Sequence, residues 1–432
     1  MRRHILVINR FDNESGRYHR YIDHAAHAVS YITNRAGARP VDHAVAEAVV
    51  TVDDLSDYEE VQRQAKVLAG RYGDFDCVLA LSEFDIELGA VLRELLKVRG
   101  PDSVDVRRWR DKVTMKELLA AAGLRVPRFR LVTSPGEIRE FAAEVGFPVV
   151  LKPRAGWDSQ GIFVVKSPVT LDSLIETEQL DQYECEEFIQ GQMYHIDGVA
   201  QNGRVRTMRS SRLTATCLDF ALGNVFGSVA NDDAHLEDRL RSYTQQVVDA
   251  LRMGTSAFHL ELFRTPVPAG YEGTHGDLVF LEIGGRVGGA QIPYIWRDVY
   301  GIDLVETWVR MILGESPDLP DVGVGTEAGG YLLMPEPPVR PCRVLSVARQ
   351  MGEIPTLYAE VLPSPGDVLS GTGGAKETAG RYRYRAPSSA PIEAAIDATV
   401  AGYRLDWEPL PDDHAGVQVK RASGRVQSVV LP

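Results

Sequence analysis

The stretch Phe280-Leu281-Glu282-Ile283-Gly284-Gly285-Arg286-Val287-Gly288-Gly289 decides how the chain is read. An acid closes an apolar run, two glycines follow, then an arginine, then two more glycines. A second acid-bearing run, Ala257-Phe258-His259-Leu260-Glu261-Leu262-Phe263, lies upstream, and residues 265–277 between them are rich in Pro, Gly, Thr and Asp. Two apolar runs around such a loop predict an antiparallel pair. If the pair is symmetric about the loop centre, between Tyr271 and Glu272, then Glu261 and Glu282 face each other. Like charges directly opposite destabilise a sheet, and a divalent cation with oxygen ligands offsets that cost. The glycines let backbone pass close to a ligand, and Arg286 can grip phosphate or carboxylate with its planar fork. The plain alternative is a hairpin with two solvated acids and a Gly-rich turn.

Composition narrows the field. A chain of 432 residues has room for two to three domains with ample core. Hydrophobic and charged fractions of 44% and 25% are ordinary for a soluble globular protein. A net charge of −13 argues against nucleic acid or an anionic membrane as the main partner. The four cysteines (Cys77, Cys185, Cys217, Cys342) show no C-x-x-C spacing, which points to a reduced, cytoplasmic setting and no zinc site. The apolar run near the start is too short for a signal peptide, and no run approaches the length of a membrane span.

Residues 1–106 read as an α/β domain. Residues 5–8, 49–52 and 77–81 suit buried strands, and a helical pattern is expected over residues 18–34 and again over 85–98. Strand alternating with helix implies a parallel sheet, with Ser82-Glu83-Phe84 at a strand's carboxyl end, where such sheets place ligands. A solvated Glu83 is the alternative. Trp109-Arg110-Asp111-Lys112 leads into a helix over 113–122. Ser134 caps a helix over 135–145, with Glu137 completing a capping box.

Phe147-Pro148-Val149-Val150-Leu151-Lys152-Pro153 follows. A lysine that closes an apolar strand needs a partner, and phosphate is a natural one. The small-residue loop Arg154-Ala155-Gly156-Trp157-Asp158-Ser159-Gln160-Gly161 comes next, of a kind that offers backbone N–H groups to phosphate. No Walker A pattern G-x-x-x-x-G-K-S/T, no G-x-G-x-x-G after a strand and no kinase signature occurs. Asn202-Gly203 marks a hairpin between runs 194–201 and 204–209. A helical pattern covers 237–252, and Asp303 can cap a helix over 304–313. From about residue 319 Pro and Gly become frequent; short strands at 330–334 and 357–362 and a helix at 392–403 suggest a small α+β cap.

Taken in order, these residues match a family. Asp111-Lys112, Val150-Leu151-Lys152-Pro153 with its Ser-Gln-Gly loop, Glu186-Glu187-Phe188-Ile189, His259-x-Glu261 and Glu282-Ile283-Gly284-Gly285-Arg286 together resemble the ATP-grasp superfamily of carboxylate–amine ligases. Within it the chain looks most like the L-amino acid ligases that make dipeptides. No single motif is very specific, but five occur in the right order. The resemblance implies a three-part α/β and α+β architecture. It comprises a parallel α/β domain over 1–106, an ATP-grasp domain over 107–318 with its lid at about 125–190, and a C-terminal α+β domain over 319–432.

The resemblance also implies roles by position. Lys112 and Lys152 would bind the α- and β-phosphates of ATP, and residues 156–161, including Gly156, Ser159, Gln160 and Gly161, would close over them. Glu186 would accept from the adenine amino group, with the backbones of Glu187 and Ile189 on the ring edge. Glu261 and Glu282 would hold Mg²⁺ (or Mn²⁺), and Arg286 would stabilise the acyl phosphate and the tetrahedral intermediate. Glu83 and Arg286 are the candidate substrate residues. The expected reaction joins a carboxylate, of an amino acid, to an amine through an acyl phosphate, with release of ADP and phosphate. Amino acids or peptides are the expected substrates, with no nucleic acid or membrane partner; a homodimer is allowed for. Alternatives on the same scaffold are a biotin-carboxylase-like or purine-pathway ligase. From another class there is a nucleotide-binding protein without chemistry, against which both glutamates and Arg286 argue.

Two positions depart from the family pattern. Gly284 stands where relatives often have a metal-binding Asn; His259, opposite it in the symmetric register, either covers the gap or packs, and packing is the expectation. Gln192-Met193 stands where many relatives have a ribose-binding Glu.

Overall fold

Ile5, Leu6, Val7 and Ile8 are all buried, so both faces of their strand are covered, as a parallel strand requires. The computed structural model describes residues 2–154, 156, 161–178, 180, 183–266, 276–371 and 378–411. In it β1 (His4–Asn9) pairs in parallel with β2 (Ala28–Thr33), β2 with β3 (Ala48–Thr51), and β1 with β4 (Cys77–Ala80). Helices α1 (Tyr58–Tyr72) and α2 (Ile86–Leu96) pack on this sheet. The helix expected over residues 18–34 is not formed. A 3-10 turn at Tyr18–Arg20 and the strand β2 occupy that stretch. Val29, Tyr31, Ile32 and Thr33 are β-branched or aromatic, and hydrogen bonding to β1 outweighs the apolar spacing that suggested a helix.

Helices α3 (Ser103–Arg110) and α4 (Lys112–Ala121) follow, the second capped by Asp111, whose side chain accepts from Thr114 N–H. The next unit contains β5 (Phe129–Val132), α5 (Pro135–Val145), β6 (Val149–Pro153), β7 (Phe163–Val165), α6 (Pro168–Thr177) and β8 (Tyr183–Glu187). Its four strands form an antiparallel sheet in the order β5-β8-β6-β7. The capping box on α5 is present, with Ser134 and Glu137 satisfying each other's end of the helix.

A larger sheet follows. The hairpin β9 (Gln192–Gln201) and β10 (Arg204–Leu213) turns at Asn202-Gly203, both with positive φ. After α7 (Cys217–Ala221) come β11 (Phe226–Ala230), α8 (Ala234–Ala250), β12 (Ser256–Arg264), β13 (Leu278–Gly284), α9 (Ile292–Asp298) and α10 (Leu304–Ile312). The remaining elements are β14 (Ala328–Pro335), β15 (Cys342–Val347), β16 (Leu357–Val361), β17 (Val368–Leu369), β18 (Thr378–Ala386), α11 (Ser389–Gly402) and β19 (Leu405–Pro409). Eight strands form one sheet in the order β13-β12-β9-β10-β11-β14-β18-β16, and β17-β15-β19 form a small one. Strands from beyond residue 319 therefore extend the same sheet that carries the two-glutamate hairpin.

Alternation along β12 sorts this sheet's faces. Phe258, Leu260 and Leu262 pack with Met115 and Leu119 of α4 and Leu236, Leu240 and Val247 of α8. Ala257 and Phe263 turn the other way, toward α9, α10 and the first sheet. His259 and Glu261 share that second side. Among the described residues no helix is long and apolar enough to cross a membrane.

Candidate active site

Strands β12 and β13 are antiparallel, with Glu261 directly opposite Glu282 and His259 opposite Gly284. The register slips just beyond, where Leu262 pairs with Phe280 and Leu281 bulges out. Glu261 is 9% exposed, while Glu282 is half-buried. Burial alone would raise the Glu282 carboxyl, but Lys112, Lys152 and Arg286 outweigh it and hold the group at about 2. Two opposed carboxylates on neighbouring strands are a hard-oxygen donor set and fit a divalent cation such as Mg²⁺.

Lys112, at the start of α4, sets its ammonium 3.0 Å from Glu282 Oε2 and 3.4 Å from the Gly156 carbonyl. Lys152, next to last in β6, is 2% exposed; its near partner is Glu186 Oε1 at 2.7 Å. Lys116, one turn beyond Lys112, is fully buried and bonds Glu184 at 2.7 Å and Glu186 at 2.5 Å. Burial pulls the Lys116 ammonium down from its ordinary value despite these carboxylates, whereas Glu186 and Glu184 overcome burial and push Lys152 up. Glu187 follows on β8 and caps the Arg128 N–H at 2.9 Å; Ile189 lies just past that strand, half-buried. Gly161 has φ +69 and stands against Tyr183. Ser159 and Gln160 lie outside the described residues, as does most of the stretch 265–277.

Arg286 Nε donates to Glu83 Oε2, and the other oxygen, Oε1, accepts from Arg110. Glu83, just after β4, thus ties the loop after β13 to the end of α3. The glycines allow this loop to lie close. A Cβ on Gly285 would stand 2.8 Å from the Trp109 ring, and one on Gly288 would stand 2.2 Å from Asp197 Oδ1.

His259, opposite Gly284, packs within a polar network. Its Nδ1 meets Asp197 Oδ1 at 2.8 Å, and Nε2 lies 3.5 Å from Glu261 Oε1. Asp197 also meets His195 Nδ1 at 2.6 Å, and His195 Nε2 meets Ser228 Oγ at 2.6 Å. Burial would raise the Asp197 carboxyl, but the two imidazoles hold it well below the usual range; in return Asp197 outweighs burial and pushes His259 up to about 9. Gln192 directs its amide to the Leu213 carbonyl at 2.7 Å.

Sequence reasoning assigned no role to Lys116, Glu184, Arg110, Asp197 or His195. A signal existed for two of them. Lys112 and Lys116 stand four apart on one helix face, and Glu184 and Glu186 two apart on one strand face. Arg110 meets Glu83 in the loop after β4, Asp197 meets His259 on β12 and His195 meets Ser228 on β11, contacts that no local pattern displays.

Residues 117–287 match the ATP-grasp domain model. The L-arginine-specific L-amino acid ligase of Bacillus subtilis is 25% identical over 302 residues, 67% of this chain and 70% of that protein. The L-amino acid ligase structure from Bacillus licheniformis superposes with a TM-score of 0.71 at 17% identity, covering 94% of this chain and all of that one. The biotin carboxylase domain of the Hydrogenobacter thermophilus 2-oxoglutarate carboxylase, solved with MgADP and bicarbonate, gives 0.62 at 18% identity, covering 94% and 91%. At these identities the solved structures share the fold. The chain thus carries an ATP-grasp domain over residues 117–287, in a fold shared with ATP-grasp ligases.

Proposed function

We propose that the chain joins an amino-acid carboxylate to an amine at the expense of ATP, by way of an acyl phosphate, releasing ADP and phosphate. The observation that carries this reading is the convergence of two opposed carboxylates, Glu261 and Glu282, with the cations of Lys112, Lys152 and Arg286. Such a site handles charge on a triphosphate and a developing oxyanion; positioning and electrostatics supply most of the catalysis in phosphoryl transfer.

In this reading Lys112 and Lys152 bind phosphate oxygens, and Glu186 with the Glu187–Ile189 backbone takes the base. Glu261 and Glu282 hold Mg²⁺. When bound, the ion neutralises charge on the outer phosphates and aligns them for in-line attack. The substrate carboxylate attacks the γ-phosphorus, ADP leaves, and the amine then displaces phosphate from the acyl carbon. Arg286, held by Glu83, donates to the oxyanion of the tetrahedral intermediate. Water has to be kept from the acyl phosphate, so closure over the site is required before transfer. The likeness to L-amino acid ligases supports amino acids as substrates.

A second reading, a bicarbonate-activating enzyme, draws on the fold shared with the biotin carboxylase domain. Measuring ADP release with MgATP alone, with single amino acids, with amino-acid pairs and with bicarbonate plus biotin separates the two. Stimulation by amino-acid pairs with dipeptide in the products is expected. Stimulation by bicarbonate and biotin alone would replace the proposal with the second reading.

A further inference from the structure

Four charged side chains lie sealed between α4 and the sheet of β6 and β8. Lys116 and Glu184 are fully buried, Lys152 is 2% exposed and Glu186 4%. Lys116 reaches both carboxylates, at 2.7 Å and 2.5 Å. Lys152 lies 2.7 Å from Glu186 and 3.8 Å from Glu184. Glu184 and Lys152 are direct cross-strand partners, and the Lys116 ammonium stands 5.3 Å from the Phe129 ring centroid. The array is neutral, two cations against two anions. Sealing four charges from water is costly, and stability alone is a weak reason for it, because well-packed apolar groups in their place are often no worse.

Two of the four have proposed ligands. Lys152 is the candidate for a phosphate and Glu186 for the base, yet here they hold each other. A nucleotide has to draw the Lys152 ammonium toward its phosphates. If Lys152 and Glu186 were alone, its departure would strand a buried carboxylate. Lys116 bridges Glu184 and Glu186 whether or not Lys152 turns away.

We propose that Lys116 is a positioning residue of the nucleotide site. As the standing counter-ion of Glu184 and Glu186 it frees Lys152 to bind phosphate. Glu184 sets the strength of that restraint. The proposal rests on the nucleotide reading of Lys152 and Glu186.

Charge counting gives the test its signs. When Lys152 turns to phosphate, the buried remainder goes from neutral to −1 in the natural protein. In Lys116→Met it goes from −1 to −2, which costs more. In Lys116→Met/Glu184→Gln it goes from neutral to −1 again, and in Glu184→Gln from +1 to neutral, which costs less. Binding of ATP, ADP and adenosine is measured by titration calorimetry, with KM for ATP and kcat alongside. Lys116→Met is expected to weaken ATP and ADP about tenfold, the size of an ordinary coupling between contacting buried groups, and to weaken adenosine much less. Adding Glu184→Gln restores ATP and ADP, and Glu184→Gln alone tightens them. Natural ADP affinity in Lys116→Met, or a double variant as weak as the single one, overturns the proposal. If Lys116→Met fails to fold, Glu184→Gln decides: tighter ADP supports the proposal and unchanged or weaker ADP overturns it. Lys152→Met tests the underlying reading separately. Natural ADP affinity there removes the nucleotide assignment itself, whereas a loss there beside an unaffected Lys116→Met removes only the role of Lys116.

Discussion

Lys112 and Glu282 close on each other, with the ammonium 3.0 Å from Oε2 of the carboxylate. In the proposed reading each has another partner, phosphate for the lysine and Mg²⁺ for the glutamate. In that reading the two groups hold each other until MgATP separates them. Glu282→Ala should lower Mg²⁺-dependent ADP release by at least about 10²-fold, since a metal's charge supplies several kcal/mol to such a transition state. The fold should survive, because one of two opposed carboxylates is gone. Activity that stays Mg²⁺-dependent and undiminished would mean the hairpin acids are not ligands.

Asp197 carries the polar network behind Glu261. It is 1% exposed and receives both imidazoles, His195 at 2.6 Å and His259 at 2.8 Å. Asp197→Asn keeps the shape but removes the charge that both rings answer. We expect a loss of about 3 kcal/mol in unfolding free energy, the usual scale for breaking a buried pair from one side. Denaturant titration without divalent ions reads it directly. A loss below about 1 kcal/mol would show that the imidazoles do not depend on Asp197.

Gly288 and its neighbour Gly289 make a paired test of the loop that carries Arg286. A Cβ at 288 would meet Asp197 Oδ1 at 2.2 Å and His259 Nδ1 at 3.0 Å, whereas one at 289 has nothing within 4 Å. Gly288→Ala should cost about 1–3 kcal/mol, as overpacking does, and reduce turnover by displacing Arg286. Gly289→Ala should stay within about 0.5 kcal/mol of the natural protein. Equal thermal midpoints for the two variants would contradict the close approach of Gly288 to Asp197.

The glutamate hairpin was legible because symmetry about a turn-rich loop fixes which residues meet, and Glu261 does stand opposite Glu282. The same symmetry could not foresee the bulge at Leu281, which costs only one residue. The stretch 18–34 misled for a physical reason. Its apolar spacing fits a helix, but the partner that makes residues 28–33 a strand, β1, lies elsewhere in the chain. The partner of His259, Asp197 on the neighbouring strand β9, is invisible to local pattern. Lys116 and Glu184 repeat Lys112 and Glu186 at helix and strand spacing, but that they meet shows only once α4 is laid across β6 and β8. The change in composition near residue 319 is real, yet β14, β16 and β18 continue the two-glutamate hairpin's sheet. A shift in Pro and Gly marks a change in loop character and does not by itself mark the end of a layer.

Arg286 bears on the reaction path. Its Nε is bonded to Glu83, whose other oxygen is bonded to Arg110, so the guanidinium is fixed from the N-terminal sheet side while its own loop is fixed by Gly285 and Gly288. A donor held that firmly pays little reorganisation when an oxyanion forms. Arg286→Met should therefore lower the rate by on the order of 10²–10³, the loss expected for one oxyanion donor, while ATP affinity changes much less. In the proposed reading Glu261 and Glu282 would hold Mg²⁺ against the outer phosphates, which directs attack to the γ-phosphate. The natural protein should accordingly yield an acyl hydroxamate when hydroxylamine is supplied with the acid substrate and MgATP. Arg286→Met should yield it at a reduced rate. Nucleotide products are resolved by anion exchange. ADP and phosphate in equal amounts are expected, and formation of AMP and pyrophosphate would overturn the assignment, because an adenylating enzyme needs its positive charge one phosphate further in.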